Sequence, residues 1–208
     1  MYLTKTPKTL KKLYPRLIWD IASEDKSIYL TFDDGPTPQI TPWTLECLSE
    51  HKAKATFFCI GKNMERHPEI VQQIIDKGHS IGNHTWSHEN GWKTTLDDYQ
   101  SSILKTEELL HNLNVNNKLF RPPYGRIKKK QIKSLHEEFQ IIMWDVLSAD
   151  FDTNISKEKC LQNCIENADK GSIIVFHDSV KAFERLSYTL PKVLTHFSQK
   201  VYTFKSLS

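Results

Sequence analysis

The chain has 208 residues, 38% hydrophobic and 25% charged, with a formal net charge of +3. That length suits one domain with a core of its own, and the composition excludes disordered and fibrous classes. So small a net charge calls for no nucleic acid. No apolar run approaches membrane-spanning length, and residues 1–8 lack a signal peptide's apolar stretch, so the expectation is a cytoplasmic protein, with unconventional export as the alternative.

Along the chain, residues 1–26 form an N-terminal lead segment expected to pack on the domain at 27–208. Short apolar or β-branched runs at 27–32, 55–60, 79–83, 118–121, 140–144, 172–177 and 201–204 predict seven strands. Helical periodicity fills the stretches between them. Segment 42–52 opens with Pro42, suited to a first helical turn. Segment 64–77 carries Ile70, Val71, Ile74 and Ile75 and stops at Gly78. Segment 95–113 opens on Thr95-Leu96-Asp97-Asp98, an N-terminal capping pattern. Segment 127–138 is short and basic, and 156–170 ends at Gly171. In 182–199, Pro191 is expected to kink the helix or start a second piece. Alternation of this kind predicts an α/β fold with a parallel sheet, and both a barrel and an open doubly wound sheet satisfy the pattern. In either, functional groups belong at the C-terminal ends of the strands.

The polar motifs fall there. Asp33 and Asp34 follow the first strand, and two adjacent carboxylates ask for a cation beside them. His84 and His88, four residues apart, follow the third strand, and with one carboxylate they make a facial set of three ligands with open positions for water and substrate. Arg121 follows the fourth strand, placed to pair with and orient one of the two aspartates, and opens Arg121-Pro122-Pro123-Tyr124-Gly125. The prolines leave the Tyr124 amide as the first free donor of that loop. Trp144, Asp145 and Asp150 follow the fifth strand. His177 and Asp178 close the sixth, with His177 a candidate acid or base and Asp150 its partner. Read singly, each motif has a bland alternative: a satisfied structural histidine, a turn, a helix cap. His79 is expected to face away from the site. Cys47, Cys59, Cys160 and Cys164 show no metal-binding spacing as a set and are expected to be free, partly buried thiols.

Taken in order, the stretches 31–36, 84–88, 121–125, 144–151 and 175–178 resemble the five motifs of the polysaccharide deacetylases with a NodB-like domain, carbohydrate esterase family four. The resemblance runs from about Ser27 to the C-terminus. It implies a distorted (β/α) barrel of about seven parallel strands. It implies Asp34, His84 and His88 as ligands of a divalent metal, zinc above all, with cobalt or another transition metal as alternatives. It implies Asp33 as catalytic base held by Arg121, the Tyr124 amide as oxyanion donor, and His177 as general acid partnered by Asp150. Phe151 and Val175 match positions that line the pocket for the acetyl methyl. Three positions depart from the family's pattern. Phe151 stands where many members carry Trp, Leu147 where many carry Asp, and Val175 where Leu is frequent. These changes bear on the acyl pocket and leave the ligand set and the acid–base pair intact.

The implied reaction is metal-dependent removal of N-acetyl groups from N-acetylglucosamine-type sugars in a chitin- or peptidoglycan-like chain. Alternatives are an O-acetyl esterase, another small acyl-amide hydrolase, and a carbohydrate-binding relative with weak turnover. The expected partner is a carbohydrate. Trp86 and Trp92 are candidates for stacking on a sugar ring. Arg126, Lys128, Lys129, Lys130 and Lys133 form a basic cluster that reads as a solvated helix face or a surface for an acidic glycan. The sequence carries no signal for oligomeric state.

Overall fold

A computed structural model describes residues 2–208. In chain order the elements are α1 (Lys8–Leu13), β1 (Ser27–Asp33), α2 (Ile40–Glu50), β2 (Ala55–Cys59), α3 (Gly61–Arg66), α4 (Pro68–Asp76), β3 (Ser80–Asn83), α5 (Leu96–Asn112) and β4 (Leu119–Phe120). There follow a 3₁₀ turn (Pro123–Gly125), α6 (Lys129–Leu135), β5 (Gln140–Ile141), β6 (Val146–Leu147), α7 (Lys157–Ile165), β7 (Ile173–His177), α8 (Phe183–Gln199) and β8 (Thr203–Phe204).

The strands form a curled parallel half-barrel in the order β5-β4-β3-β2-β1-β7-β6, with β8 added beside the start of β1. Every residue of β1 is buried, as expected of a central parallel strand covered on both faces. Its side chains alternate. Phe32 points outward and stacks between Phe57 and Phe176, at centroid distances of 5.0 and 5.8 Å. Thr31 and Asp33 take the other face, and the register sets Asp33 beside Phe58 on one neighbour and His177 on the other. Against the outer face, α8 lays Leu186, Leu190, Val193, Leu194 and Phe197, an i, i+4 stripe. The same register thus builds the core and delivers the polar groups to one mouth.

Two sequence expectations are corrected, and two elements were not foreseen. Segment 64–77 is two helices, because Pro68 cannot continue α3 and instead starts α4. Pro191 lies inside one continuous α8. A short strand, β6, occupies Val146–Leu147, two apolar residues between Asp145 and Ser148 and too short a run to read as a strand. Finally, the lead segment carries a helix of its own, α1.

That segment spans the gap between the two edge strands. On one side Ile18 donates to the Ile141 carbonyl at 2.9 Å and its own carbonyl accepts from Met143 at 2.7 Å. On the other, Thr4 accepts from Leu147 at 2.9 Å and Thr6 donates to Asp145 at 2.8 Å. The Asp145 side chain therefore belongs to this seam and not to the site. It is buried and accepts bonds from Lys5, Lys11 and Ser172. Burial pushes its carboxyl up, but these three partners outweigh it and hold the group below its ordinary range. Asp145→Ala is expected to cost about 1–3 kcal/mol in urea unfolding. Because the folded-state carboxyl is depressed, the contribution is present above about pH 4 and fades as the pH falls below that. A midpoint unchanged by the substitution at pH 7 would refute the assignment.

Candidate active site

Asp33 ends β1, and Asp34 turns the chain sharply at φ 81°. The loop is pinned from several directions. Asn63 donates to the Asp34 carbonyl at 2.8 Å, and Ile60 to that of Gly35 at 2.9 Å. Asp178 accepts from the Gly35 amide at 3.0 Å and from the Thr41 hydroxyl, while its own amide donates to the Asp33 carbonyl at 3.1 Å. A Cβ on residue 35 would lie 2.1 Å from Asp178 Oδ2, so only glycine fits. Asp178 is fully buried. Burial, with the Asp34 charge adding to it, pushes its carboxyl up to about 7 against the bonds from Thr41 and Gly35.

The histidines descend from β3. Thr85 and His88 take positive φ values of 64° and 62°, which fold 84–88 back toward Asp34. The Thr85 amide donates to Asn83 Oδ1 at 2.9 Å, fixing that turn. His84 Nδ1 donates to the Arg121 carbonyl at 2.8 Å, so its Nε2 is left as the free lone pair. His88 Nδ1 pairs with the Tyr124 hydroxyl at 3.1 Å. The two Nε2 atoms lie 3.8 Å (His84) and 3.2 Å (His88) from Asp34 Oδ1, and one ligand atom from each residue lies within 4.8 Å of the others. Among the described residues Asp34 Oδ1 is buried without a hydrogen-bond partner, a costly state for a carboxylate oxygen unless a cation takes it up. Burial pushes the His84 imidazole down to about 4, so it is neutral at pH 7, as a ligand must be. Burial alone would push the Asp34 carboxyl up, but His88, His177 and His84 outweigh it and hold the group below its usual range. A divalent cation fits this donor set.

Arg121, fully buried, reaches Asp33 Oδ1 and Thr31 Oγ1 with Nη1, both at 2.7 Å. Its remaining donors go to the carbonyls of Met143 and Ile142, and its guanidinium lies 4.1 Å from the Phe58 ring centroid. Only one Asp33 oxygen is engaged; the other accepts nothing from the described residues. Across the mouth, His177 donates its amide to Asp150 Oδ2 at 2.7 Å and Nδ1–H to Oδ1 at 2.8 Å. Asp150 is fully buried, and Arg185 holds its carbonyl at 2.7 Å. Burial would push the His177 imidazole down, but Asp150, with Asp34 and Asp33 adding to it, brings it up to about 9.

The structure thus brings Asp33, Asp34, His84, His88, Arg121, Asp150 and His177 together. Tyr124, in the left-handed region at φ 61°, is exposed, and its amide bonds no described residue. Val175 lies two residues before His177 on the same face of β7, and the Phe151 ring meets His177 edge-on at 5.1 Å. Trp86 is corrected as a sugar platform: it packs on the Gly61 backbone, and Lys105 covers its ring at 3.6 Å. Trp92 is exposed beside Tyr124, with Arg126 over both rings. All four cysteines are free and buried. Asn63 and Thr41 gave no sequence signal, since an amide and a hydroxyl on helices look like ordinary surface choices. Asp178 was visible only as the neighbour of His177.

A curled (β/α) barrel with an Asp–His–His set at the strand ends, flanked by two carboxylate-partnered helpers, is the layout of a barrel enzyme. The chain belongs to the polysaccharide deacetylase family, whose profile matches residues 20–138. Asp150 and His177 lie beyond that match. A peptidoglycan-N-acetylglucosamine deacetylase of Bacillus cereus is 42% identical over 154 residues, covering 73% of this chain and 56% of that protein. The chain thus spans little more than half of that relative. A second protein of the same name and species is 32% identical over 202 residues, covering 95% of both. Among solved structures, a peptidoglycan N-acetylglucosamine deacetylase in complex with 4-naphthalen-1-yl-N-oxidanyl-benzamide superposes with a TM-score of 0.88. It is 35% identical, over 97% of this chain and 95% of that one. No helix among the described residues is long and apolar enough to cross a membrane.

Proposed function

We propose that the chain is a metal-dependent deacetylase that removes N-acetyl groups from N-acetylglucosamine-type sugars of an oligo- or polysaccharide. The observation that carries this reading is the orphaned Asp34 Oδ1 facing two Nε2 atoms, opposite an acid–base pair of separate origin. The names of the relatives support an acetylated glucosamine sugar as the substrate class.

Asp34, His84 and His88 would hold the metal, zinc by the nitrogen-rich donor set, with cobalt a working substitute. When bound, it supplies Lewis acidity to the amide carbonyl and lowers the pKa of water. Asp33, oriented by Arg121 through one oxygen, takes the proton of the attacking water with the other. The free Tyr124 N–H donates to the developing oxyanion, a contact whose loss typically costs on the order of a hundredfold or more in rate. An amine leaves only when protonated, and His177, charged through its bond to Asp150, provides that proton.

The test is acetate release from chitooligosaccharides, peptidoglycan fragments and acetylated xylan. We expect release from the first two, loss with a chelator, and recovery on adding zinc or cobalt. Release undiminished in an Asp34→Ala, His84→Ala double variant would overturn the reading. Release from xylan alone would make the protein an O-acetyl esterase.

A further inference from the structure

The lead segment does more than cover the seam between the edge strands. It ends beside the chemistry. The Tyr2 ring meets Phe151 edge-on at 5.5 Å, and Phe151 in turn meets His177 at 5.1 Å. The Tyr2 hydroxyl donates to Asp152 Oδ2 at 2.6 Å, on the turn that carries Asp150. Asp152 also accepts from the Asn154 amide at 3.0 Å, so the tyrosine is fixed to an ordered turn. On its other side Tyr2 borders a largely apolar cavity of about 590 Å³, shared with Leu3, Tyr124, Trp144 and Leu147. Leu147 pairs with Val175, and Val175 lies on the face that carries His177. Tyr2 therefore stands between this cavity and the Phe151–His177 contact.

Phe151 is only partly buried, and its ring meets two aromatic neighbours, His177 and Tyr2. A Phe side chain has two free torsions, and in an open setting it would swing. Tyr2 removes that freedom from behind. It also adds a wall beside the Phe151 ring. We propose that Tyr2 is a specificity-determining residue. Delivered by the lead segment, it backs Phe151 and limits the acyl group accepted beside His177 to acetyl. The inference rests on the reading of the site as a deacylase.

The substitutions are Tyr2→Ala, which deletes the ring, and Tyr2→Phe, which keeps the ring and drops only the bond to Asp152. Each full-length, zinc-loaded protein is assayed for kcat/KM on N-acetyl, N-propionyl and N-butyryl chitotetraose. In parallel, calorimetry measures the binding of aceto-, propiono- and butyrohydroxamic acid, which needs no turnover. The wild type is expected to prefer acetyl over butyryl in both series. One methylene in an apolar pocket is worth roughly 10–200-fold, so Tyr2→Ala should erase about tenfold or more of that preference. Tyr2→Phe should retain it, and both variants should melt as cooperatively as the wild type. A Tyr2→Ala protein that is folded and as selective as the wild type overturns the inference, whether or not acetate is released. A wild type that releases no acetate from any glycan overturns the deacetylase reading, and the hydroxamate series still decides the role of Tyr2.

Discussion

Asp150→Asn will lower acetate release by roughly two to four orders of magnitude and move its alkaline limit downward. The carboxylate has two tasks, both visible in its bonds. Oδ2 accepts from the His177 amide and Oδ1 from the imidazole Nδ1–H, so Nε2 faces the cleft in the tautomer an acid needs. Its charge also decides how long the proton stays. With Asp150 ionised the imidazole lies at about 9, so His177 is protonated throughout the neutral range and kcat falls as the pH rises through about 9. With Asn, the largest upward influence is gone and burial is opposed only by the Asp34 and Asp33 charges, so the imidazole falls below about 9. The alkaline limit should then move down from about pH 9. Stability follows the same sign. A raised imidazole contributes fully below about pH 6.5 and loses that contribution as the pH climbs through 9. The check is a pH profile of kcat for both proteins at saturating substrate, with unfolding midpoints at pH 6 and pH 9.5. Coincident alkaline limits would remove His177 as the acid.

What was legible in the sequence, and what was not, separates along physical lines. Strand ends were readable because a buried parallel strand is a continuous apolar run, and polar residues at its end stand out, as with Phe176 and His177. Barrel closure was not readable from periodicity. It depends on which edges are left unpaired, and here the cover is an irregular segment joined through backbone bonds of Thr4, Thr6 and Ile18, which carry no side-chain signature. The division of labour between Asp33 and Asp34 came from resemblance; its physical cause is the φ of 81° at Asp34, which no composition reports. Asp145 looked like a site residue because it follows a strand. Two lysines from a segment more than a hundred residues earlier claim it instead. Trp86 looked like a platform because it sits among ligands, but the turn at Thr85 directs its ring onto α3 and α5.

Arg121→Met should cost roughly 3–5 kcal/mol of stability, far more than an exposed arginine would, and should abolish acetate release. The guanidinium is fully buried and ties the end of β4, which carries it, to groups from two other strands: Asp33 and Thr31 on β1, and the carbonyls of Ile142 and Met143 just after β5. Methionine fills the volume but leaves Asp33, only 4% exposed, as an uncompensated buried charge beside two unpaired carbonyls. Asp33→Asn alone should also lose activity, since the amide cannot take a proton, yet it leaves the arginine charge unpaired. If the two residues act as one buried pair, the double variant Asp33→Asn, Arg121→Met will be more stable than the sum of the single losses predicts. The coupling should be about 1–3 kcal/mol, because removing both charges restores neutrality. Urea unfolding of the four proteins completes the cycle. Additive losses would mean that Arg121 stabilises the barrel through its carbonyl bonds alone, and that something other than this pair orients the base. Coupled losses, with activity absent from all three variants, would make the arginine both the structural core of the mouth and the device that holds one Asp33 oxygen while leaving the other free for a proton.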